Sequence, residues 1–340
     1  MLAVVATSVA IAAIVAAAVS GGSAQARPQA TLKVGLVTDI GGLNDRGFNH
    51  LAYLGATRAK KKLGIDLRVL TSTSNSDYVP NLATLARQHY DLIIAVGFLM
   101  DNAVDTVATK FPNQSFAIVD DDVTLMKHKP KNARGLLFKE QEAGYLVGYA
   151  TGLWLKQHPV QGEMVAGSVG GQKIPPVDRY IAGYRFGVKK ANKQATTING
   201  YSQEFVDQAK CKEVALNEIA NNAGVVFQVA GGCGLGALDA AKEKKVMGIG
   251  VDADQGWLGN YVMTSALKKV DVAVYDTIAS KQKAGDKFRG GYNATFSAKN
   301  NGVGVGKWSS RVPKSIRTAV AKQLTLLKAG KIKGIPATVK

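Results

Sequence analysis

The stretch TLKVGLVTDIGGLNDRGFNHLAYLGATRAKKKLG, Thr31 to Gly64, decides the fold. It opens on Leu32–Val37, an apolar run with no polar alternation. Short runs of this kind suit a strand buried on both faces of a parallel sheet. A polar, glycine-rich turn follows and carries Asp39, Gly41, Gly42, Asn44 and Asp45. From Gly47 to Leu63 the pattern becomes helical, and Gly64 ends it, since glycine takes the left-handed conformation that closes a helix. Strand, polar turn and helix together make one βα unit.

The same unit recurs outward from this point. Strands are predicted at Leu67–Leu70, Leu92–Val96 and Phe116–Val119, with helices through Leu82–Gln88 and Asn102–Lys110. A second series has strands at Gly135–Phe138, Met164–Val169, Thr196–Gly200, Val225–Val229, Val246–Val251 and Tyr261–Ser265. Its helices cover Gln141–Leu155, Val177–Ala191, Asp207–Asn221, Leu235–Lys242 and Val270–Lys281, and Lys314–Leu327 forms the last helix. Alternating βα units give a doubly wound α/β fold. Two such series without a long linker predict two α/β lobes. The chain is expected to cross between them near residues 138, 257 and 298. One lobe then comprises residues 31–137 plus 258–298, the other 138–257 plus 299–340.

Composition agrees with a packed, exported protein. Of 340 residues, 46% are hydrophobic and 20% charged, ordinary values for a globular chain. Met1 to Val19 is uncharged and rich in Ala and Val, and Ala24-Gln25-Ala26 offers the small side chains that signal peptidase accepts. Residues 1–26 therefore read as a secretory signal, although no Lys or Arg precedes the apolar run. The competing reading is an uncleaved anchor. No Cys lies near residue 26, so no lipoprotein anchor is expected and the location is extracytoplasmic. The net charge of +18 falls wholly beyond residue 26. Its Lys and Arg are dispersed, as at Lys60-Lys61-Lys62, and no nucleic-acid motif accompanies them. They read as a solvated basic surface that can lean on an anionic envelope, with no nucleic acid as partner. Cys211 opens the helix after Phe205 and Cys233 follows the next strand, so both belong at one sheet edge. In an oxidising compartment the pair predicts a disulfide.

Ligands of open α/β sheets bind beyond the carboxyl ends of strands. Asp39, Asp45, Phe48 and Asn49 follow the first strand, and Asp120 follows Phe116–Val119. Phe205 lies past Thr196–Gly200, Gly232 past Val225–Val229, Asp252 past Val246–Val251 and Lys268 past Val262–Ser265. Carboxylates accept from hydroxyls and base N–H groups, Lys donates, Phe offers a flat face, and glycine lets a ligand reach the main chain. The set fits a neutral, polar, partly aromatic small molecule and fits a phosphate poorly. Taken singly, an Asp at a strand end is more often a helix cap and a Phe more often core. One pattern points elsewhere: Gly232-x-Gly234-x-x-Ala237 with Asp252 twenty residues on approaches a dinucleotide fingerprint. His50, His89, His128 and His158 lack metal-ligand spacing, so neither a metal nor a cofactor is expected, and no catalytic residue is assigned.

Several segments together carry a resemblance: Lys33-Val-Gly-Leu-Val-Thr-Asp39 with Asp45-Arg-Gly-Phe48-Asn49, Phe116-Ala-Ile-Val-Asp120, and Phe138-Lys-Glu-Gln-Glu-Ala-Gly-Tyr-Leu-Val-Gly148. Val229-Ala-Gly-Gly-Cys-Gly234, Gly250-Val-Asp252-Ala-Asp-Gln255 and Thr264-Ser-Ala-Leu-Lys268 complete it. In this order they resemble the basic membrane protein family of substrate-binding lipoproteins, which includes purine-nucleoside receptors. The resemblance implies the type I periplasmic-binding-protein fold with a ligand cleft between the lobes, a purine nucleoside as ligand and the permease of an ABC importer as partner. It places Phe48 and Phe205 on the base, Asp252 and Lys268 on the ribose, and Asp39, Asn49 and Asp120 on or around the base. Gly232 would present backbone. Lys268 is expected to pair with the Asp252 carboxylate, and the protein is expected to be monomeric. The chain departs from the resemblance in lacking a lipobox Cys, in having Cys211 and Cys233, and in having Trp257 beside the Asp252 loop. A pentose or riboflavin receptor, a dinucleotide-dependent enzyme, and a regulator built on the same core remain alternatives.

Overall fold

A computed structural model describes Thr31–Val339, and the export segment read over residues 1–26 lies outside the described residues. The chain begins with β1 (Lys33–Thr38), α1 (Phe48–Leu63), β2 (Asp66–Leu70), α2 (Tyr78–Arg87), β3 (Leu92–Val96), α3 (Asp101–Lys110), β4 (Phe116–Val119) and β5 (Ala133–Phe138). It continues with α4 (Glu140–Gln157), β6 (Val165–Gly170), α5 (Pro175–Ala191), β7 (Thr196–Thr197), β8 (Gly200–Tyr201), α6 (Gln208–Ala220), β9 (Ala223–Val229), α7 (Gly234–Glu243), β10 (Met247–Asp252) and β11 (Val262–Lys268). Then come α8 (Val270–Ala284), β12 (Tyr292–Phe296), β13 (Val303–Val305) and α9 (Lys314–Lys328).

The strands form two sheets. One has the order β12-β5-β4-β3-β1-β2, and all its pairings are parallel. The other runs β13-β11-β10-β9-β6-β7, with β8 also on β6 and only β13 antiparallel. The central strands are buried along their whole length, as in the fully buried β3, β4, β9 and β10. That is why they read as unbroken apolar runs. The doubly wound α/β architecture expected from the βα repeat is therefore present twice.

Sheet membership corrects one boundary. The 258–298 segment expected in the first lobe includes β11, which pairs with β10 and β13 in the second sheet. The chain crosses after Lys268, and α8 then packs on α1 of the first half. Gly55 of α1 makes that approach possible, since a Cβ there would meet the backbone of Asp271. The strand expected over Thr196–Gly200 is split into β7 and β8, both on β6. Two short strands escaped the sequence reading. β12 is a partly exposed edge strand with polar residues, and β13 has only 3 residues.

In the second half, α4 lies along α5. Gly144 and Gly148 of α4 face the carbonyls of Tyr180 and Tyr184, and Gly183 and Gly187 of α5 face those of Gln141 and Tyr145. The small residues bring the two backbones into contact, so the helices act as one rigid body. That body carries Glu140, Arg179 and Tyr180 to the edge of the second sheet.

Candidate functional site

In the first sheet the strand order reverses between β1 and β3, and in the second between β6 and β9. A crevice forms beyond the carboxyl ends of strands at such switch points. Here the two crevices share one cavity, with about 620 Å³ of empty space including its open mouth. Every residue singled out from the sequence lines it: Asp39, Asp45, Phe48, Asn49 and Asp120 from the first half, and Phe205, Gly232, Asp252 and Lys268 from the second.

The loop after β1 is organised by its own carboxylates. Asp45 accepts from the backbone N–H of Gly47, Asn49 and His50 at 3.0, 2.6 and 3.0 Å. It thereby satisfies the open amides at the start of α1 and fixes Phe48, the first residue of that helix. The Asn49 amide donates to Asp39 at 2.7 Å and to Asp45 at 3.2 Å. Gly97, with φ of +122°, follows β3, and a side chain there would collide with the Asp39 carboxylate and press on the Phe48 ring.

On the other side, Phe205 sits in a loop held at three points. Glu204 accepts from the amides of Phe205 and Val206, both at 2.9 Å. The Phe205 carbonyl accepts from Cys233 N–H at 2.9 Å. Cys211 and Cys233 are joined by a disulfide with their Cα atoms 5.6 Å apart. The bridge ties the first turn of α6 to the Gly231-Gly232 loop and so closes around the Phe205 segment.

Charge is concentrated on the floor of the cavity. Lys268, only 2% exposed, places its ammonium 2.5 Å from Asp120 and 3.0 Å from Glu140. The expected partner Asp252 is not among these ion pairs; its carboxylate accepts from Tyr180 OH at 3.1 Å. The correction has a simple cause. Lys268 is the last residue of β11, and the adjoining residues from other elements are the end of β4 and the start of α4. Arg179 holds the far oxygen of Glu140 at 2.7 Å. The Lys268 ammonium also lies 5.0 Å from the centre of the Phe48 ring.

Asp120 and Asp252 take equivalent places in the two halves. Asp120 directly follows β4 and Asp252 ends β10, with positive φ of +74° and +59°, a left-handed geometry that Asp tolerates better than most residues. Such a turn aims the side chain across the sheet edge. Burial raises Asp252 to about 7 and Asp39 and Asp120 to about 6, with Lys268 opposing the effect at Asp120 and Asp252. Burial would lower Lys268, but the Asp120, Glu140 and Asp252 carboxylates outweigh it and hold the ammonium above its ordinary value. Asp120 Oδ1 and Asn49 Oδ1 are buried without a hydrogen-bond partner. Both belong to residues that line the cavity. The arrangement suits a ligand with several N–H or O–H donors and opposes a phosphate.

Glu140, Arg179 and Tyr180 were missed in the sequence. Glu140 sits just after β5, where the strand-end rule reaches it. The same rule reaches Gly97, Phe98 and Leu99 after β3, which also line the cavity. Arg179 and Tyr180 come from the body of α5 and carry no local signal. Gly234 of the dinucleotide-like pattern and Gly236 between its fixed positions pack tightly against Gln228 and the Gln208 backbone. Their lack of a side chain serves α7 packing.

The chain matches the family described as ABC transporter substrate-binding protein PnrA-like over residues 32–337. An uncharacterized lipoprotein of Pyrococcus abyssi is 36% identical over 304 residues, covering 86% of this chain and 73% of the relative. The ABC transporter nucleoside-binding protein BmpA of Lactococcus lactis is 34% identical over 323 residues, 88% of either chain. The crystal structure of an ABC transporter solute-binding protein from Aeropyrum pernix K1 superposes with a TM-score of 0.79 at 28% identity, over 89% of this chain and 93% of that one. The fold is that of the type I periplasmic-binding-protein class of solute-binding proteins, and the chain belongs to the PnrA-like family of ABC transporter substrate-binding proteins.

Proposed function

We propose that this protein is exported, captures a purine nucleoside between its two lobes and presents it to the permease of an ABC importer. The cavity carries the reading. It offers buried carboxylates from both halves, a single lining ammonium, Phe48 and Phe98 from the first half and Phe205 from the second. Asp252 and Lys268 receive the ribose hydroxyls, Phe48 and Phe205 stack on the base, and Asp39, Asn49 and Asp120 meet its polar edge. Gly232 leaves backbone open to the ligand, and Asp45 holds Phe48 in place. The name of the Lactococcus lactis relative, a nucleoside-binding protein, supports the choice of ligand. The matched family and the Aeropyrum pernix structure are solute-binding proteins, which supports reading the cavity as a binding site.

Extracytoplasmic placement follows from the role, with cleavage after Ala26 and a mature chain from Arg27. The Pyrococcus abyssi relative is named as a lipoprotein; in this chain the segment in question, residues 1–30, lies outside the described residues. Isothermal titration with inosine, guanosine, adenosine, riboflavin and ribose tests the assignment. A purine nucleoside is expected to bind at least about tenfold more tightly than ribose, because stacking is absent from the sugar. Ribose or riboflavin binding as tightly as every nucleoside would overturn it.

A further inference from the structure

The positive charge of this chain is unevenly placed. Residues 287–340 contain twelve Lys and Arg and no Asp or Glu, so about a sixth of the chain holds +12 of the net +18. All eleven described cations of this segment are exposed, and none of them forms an ion pair. Elsewhere the surface is mixed, as where Lys212 bridges Asp239 and Glu243.

The fold gathers part of this charge on one surface. Helix α9 turns Ile316, Val320 and Leu327 inward and leaves Lys314, Arg317, Lys322 and Lys328 exposed. Lys328 donates to Asn301 at 2.8 Å, which brings the 299–301 turn against the end of the helix. There a groove opens, lined by Lys139, Lys299, Lys328 and Lys333 and floored by Leu327, Ile332 and Ile335. Its one carboxylate, Glu142, is occupied by the amide of Ala298 at 2.7 Å. An apolar floor under a rim of ammonium groups matches the boundary between headgroup phosphates and acyl chains.

We infer that this groove and the outer face of α9 form a docking surface for an anionic phospholipid bilayer. The surface holds the receptor against the membrane in which its transporter sits. It works through phosphate oxygens and shallow apolar contact, and it is independent of which solute fills the cleft.

The test is sedimentation of the chain from Arg27 onward, which contains the whole described fold, with vesicles of phosphatidylcholine alone or with about 30% phosphatidylglycerol. At about 0.05 M salt the protein is expected to pellet with the anionic vesicles only, and to be released near 0.5 M as screening shortens the field. The combined variant Lys299→Gln, Lys328→Gln, Lys333→Gln is expected to bind about tenfold or more weakly. The variant Lys60→Gln, Lys61→Gln, Lys62→Gln removes equal charge elsewhere and is expected to stay within about twofold of the parent. Solute titration of both variants checks their folding, and unchanged solute affinity is expected. Equal loss in the two variants, equal binding to both vesicle types, or no binding to either overturns the inference. So does capture by a soluble polyanion such as heparin without capture by vesicles.

Discussion

At the scale of single residues, Asp252 is the most exacting test of the site. It is buried at a strand end with positive φ, accepts from Tyr180 and is raised by burial to about 7. Removing it deletes an acceptor that a ribose hydroxyl would use. Asp252→Ala should weaken nucleoside binding by about 1.5–3 kcal/mol, as for hydrogen bonds to charged groups, in titrations at pH 8. Parent affinity should itself fall as pH drops from 8 towards 5.5, because Asp252, Asp39 and Asp120 take up protons across that window. A flat profile, with an unaffected mutant, would place the sugar elsewhere. Glu218 tests stability instead of binding. It is buried in α6 and raised by burial to about 8. An acid whose folded pKa lies above its unfolded one is stabilising at low pH, and that contribution is lost as pH rises through the folded value. The parent should melt lower at pH 9 than at pH 6 partly for this reason. Glu218→Gln should narrow the gap by raising Tm at pH 9, and thermal melts across that range decide it.

At the scale of elements, the Cys211–Cys233 bridge and the α4–α5 pair do different work. The helix pair is rigid because four glycines bring two backbones together, and it fixes Glu140 and Tyr180. The bridge joins residues 22 apart and closes a loop that holds most of α6 and all of β9. It holds the Phe205 loop to the Gly231-Gly232 loop through the hydrogen bond from Cys233 N–H. Closing a loop of that length stabilises by about 3 kcal/mol in the chain-entropy account. Reduction should add two hydrogens, about 2 Da, to the intact mass. It should also lower Tm and weaken ligand binding, since Phe205 loses its clamp. Unchanged mass on reduction would mean that the thiols are free.

At the scale of the molecule, contacts between the halves matter most. Asp120 of the first sheet meets Lys268 of the second at 2.5 Å, and Arg46 stacks over Trp257 at 4.9 Å. These contacts join the two halves at the cavity. Phe48 and Phe205 come from opposite halves, so a base between them ties binding to closure. Base stacking on an aromatic ring contributes about 1–3 kcal/mol. Phe48→Ala and Phe205→Ala should each weaken nucleoside binding by roughly tenfold to a hundredfold while melting close to the parent without ligand. Closure should also change the emission of Trp257, which stands beside Arg46 at the seam. Titrations in which both Phe variants keep parental affinity would favour a sugar as the ligand.

The sequence by itself determined the βα repeat, the two sheets and the strand ends at which ligand groups gather. Parallel strands buried on both faces have to be apolar throughout, and Leu92–Val96 and Phe116–Val119 coincide with β3 and β4 for that reason. It also placed the two cysteines at one edge. Tertiary structure decided what depends on neighbours far apart in the chain. Lys268 pairs with Asp120, 148 residues away, and with Glu140, because strand order brings β11 beside the start of α4. The crossing after Lys268 follows from hydrogen bonds to β10 and β13, which no local pattern records. Edge strands β12 and β13 are short or polar because one side of each meets solvent, so they lack the apolar run that marks a buried strand. Tyr180 reaches Asp252 only because α5 is pressed against α4. Periodicity encodes which face of an element is buried, whereas the partner of a buried charge is set by the packing of elements that periodicity does not order.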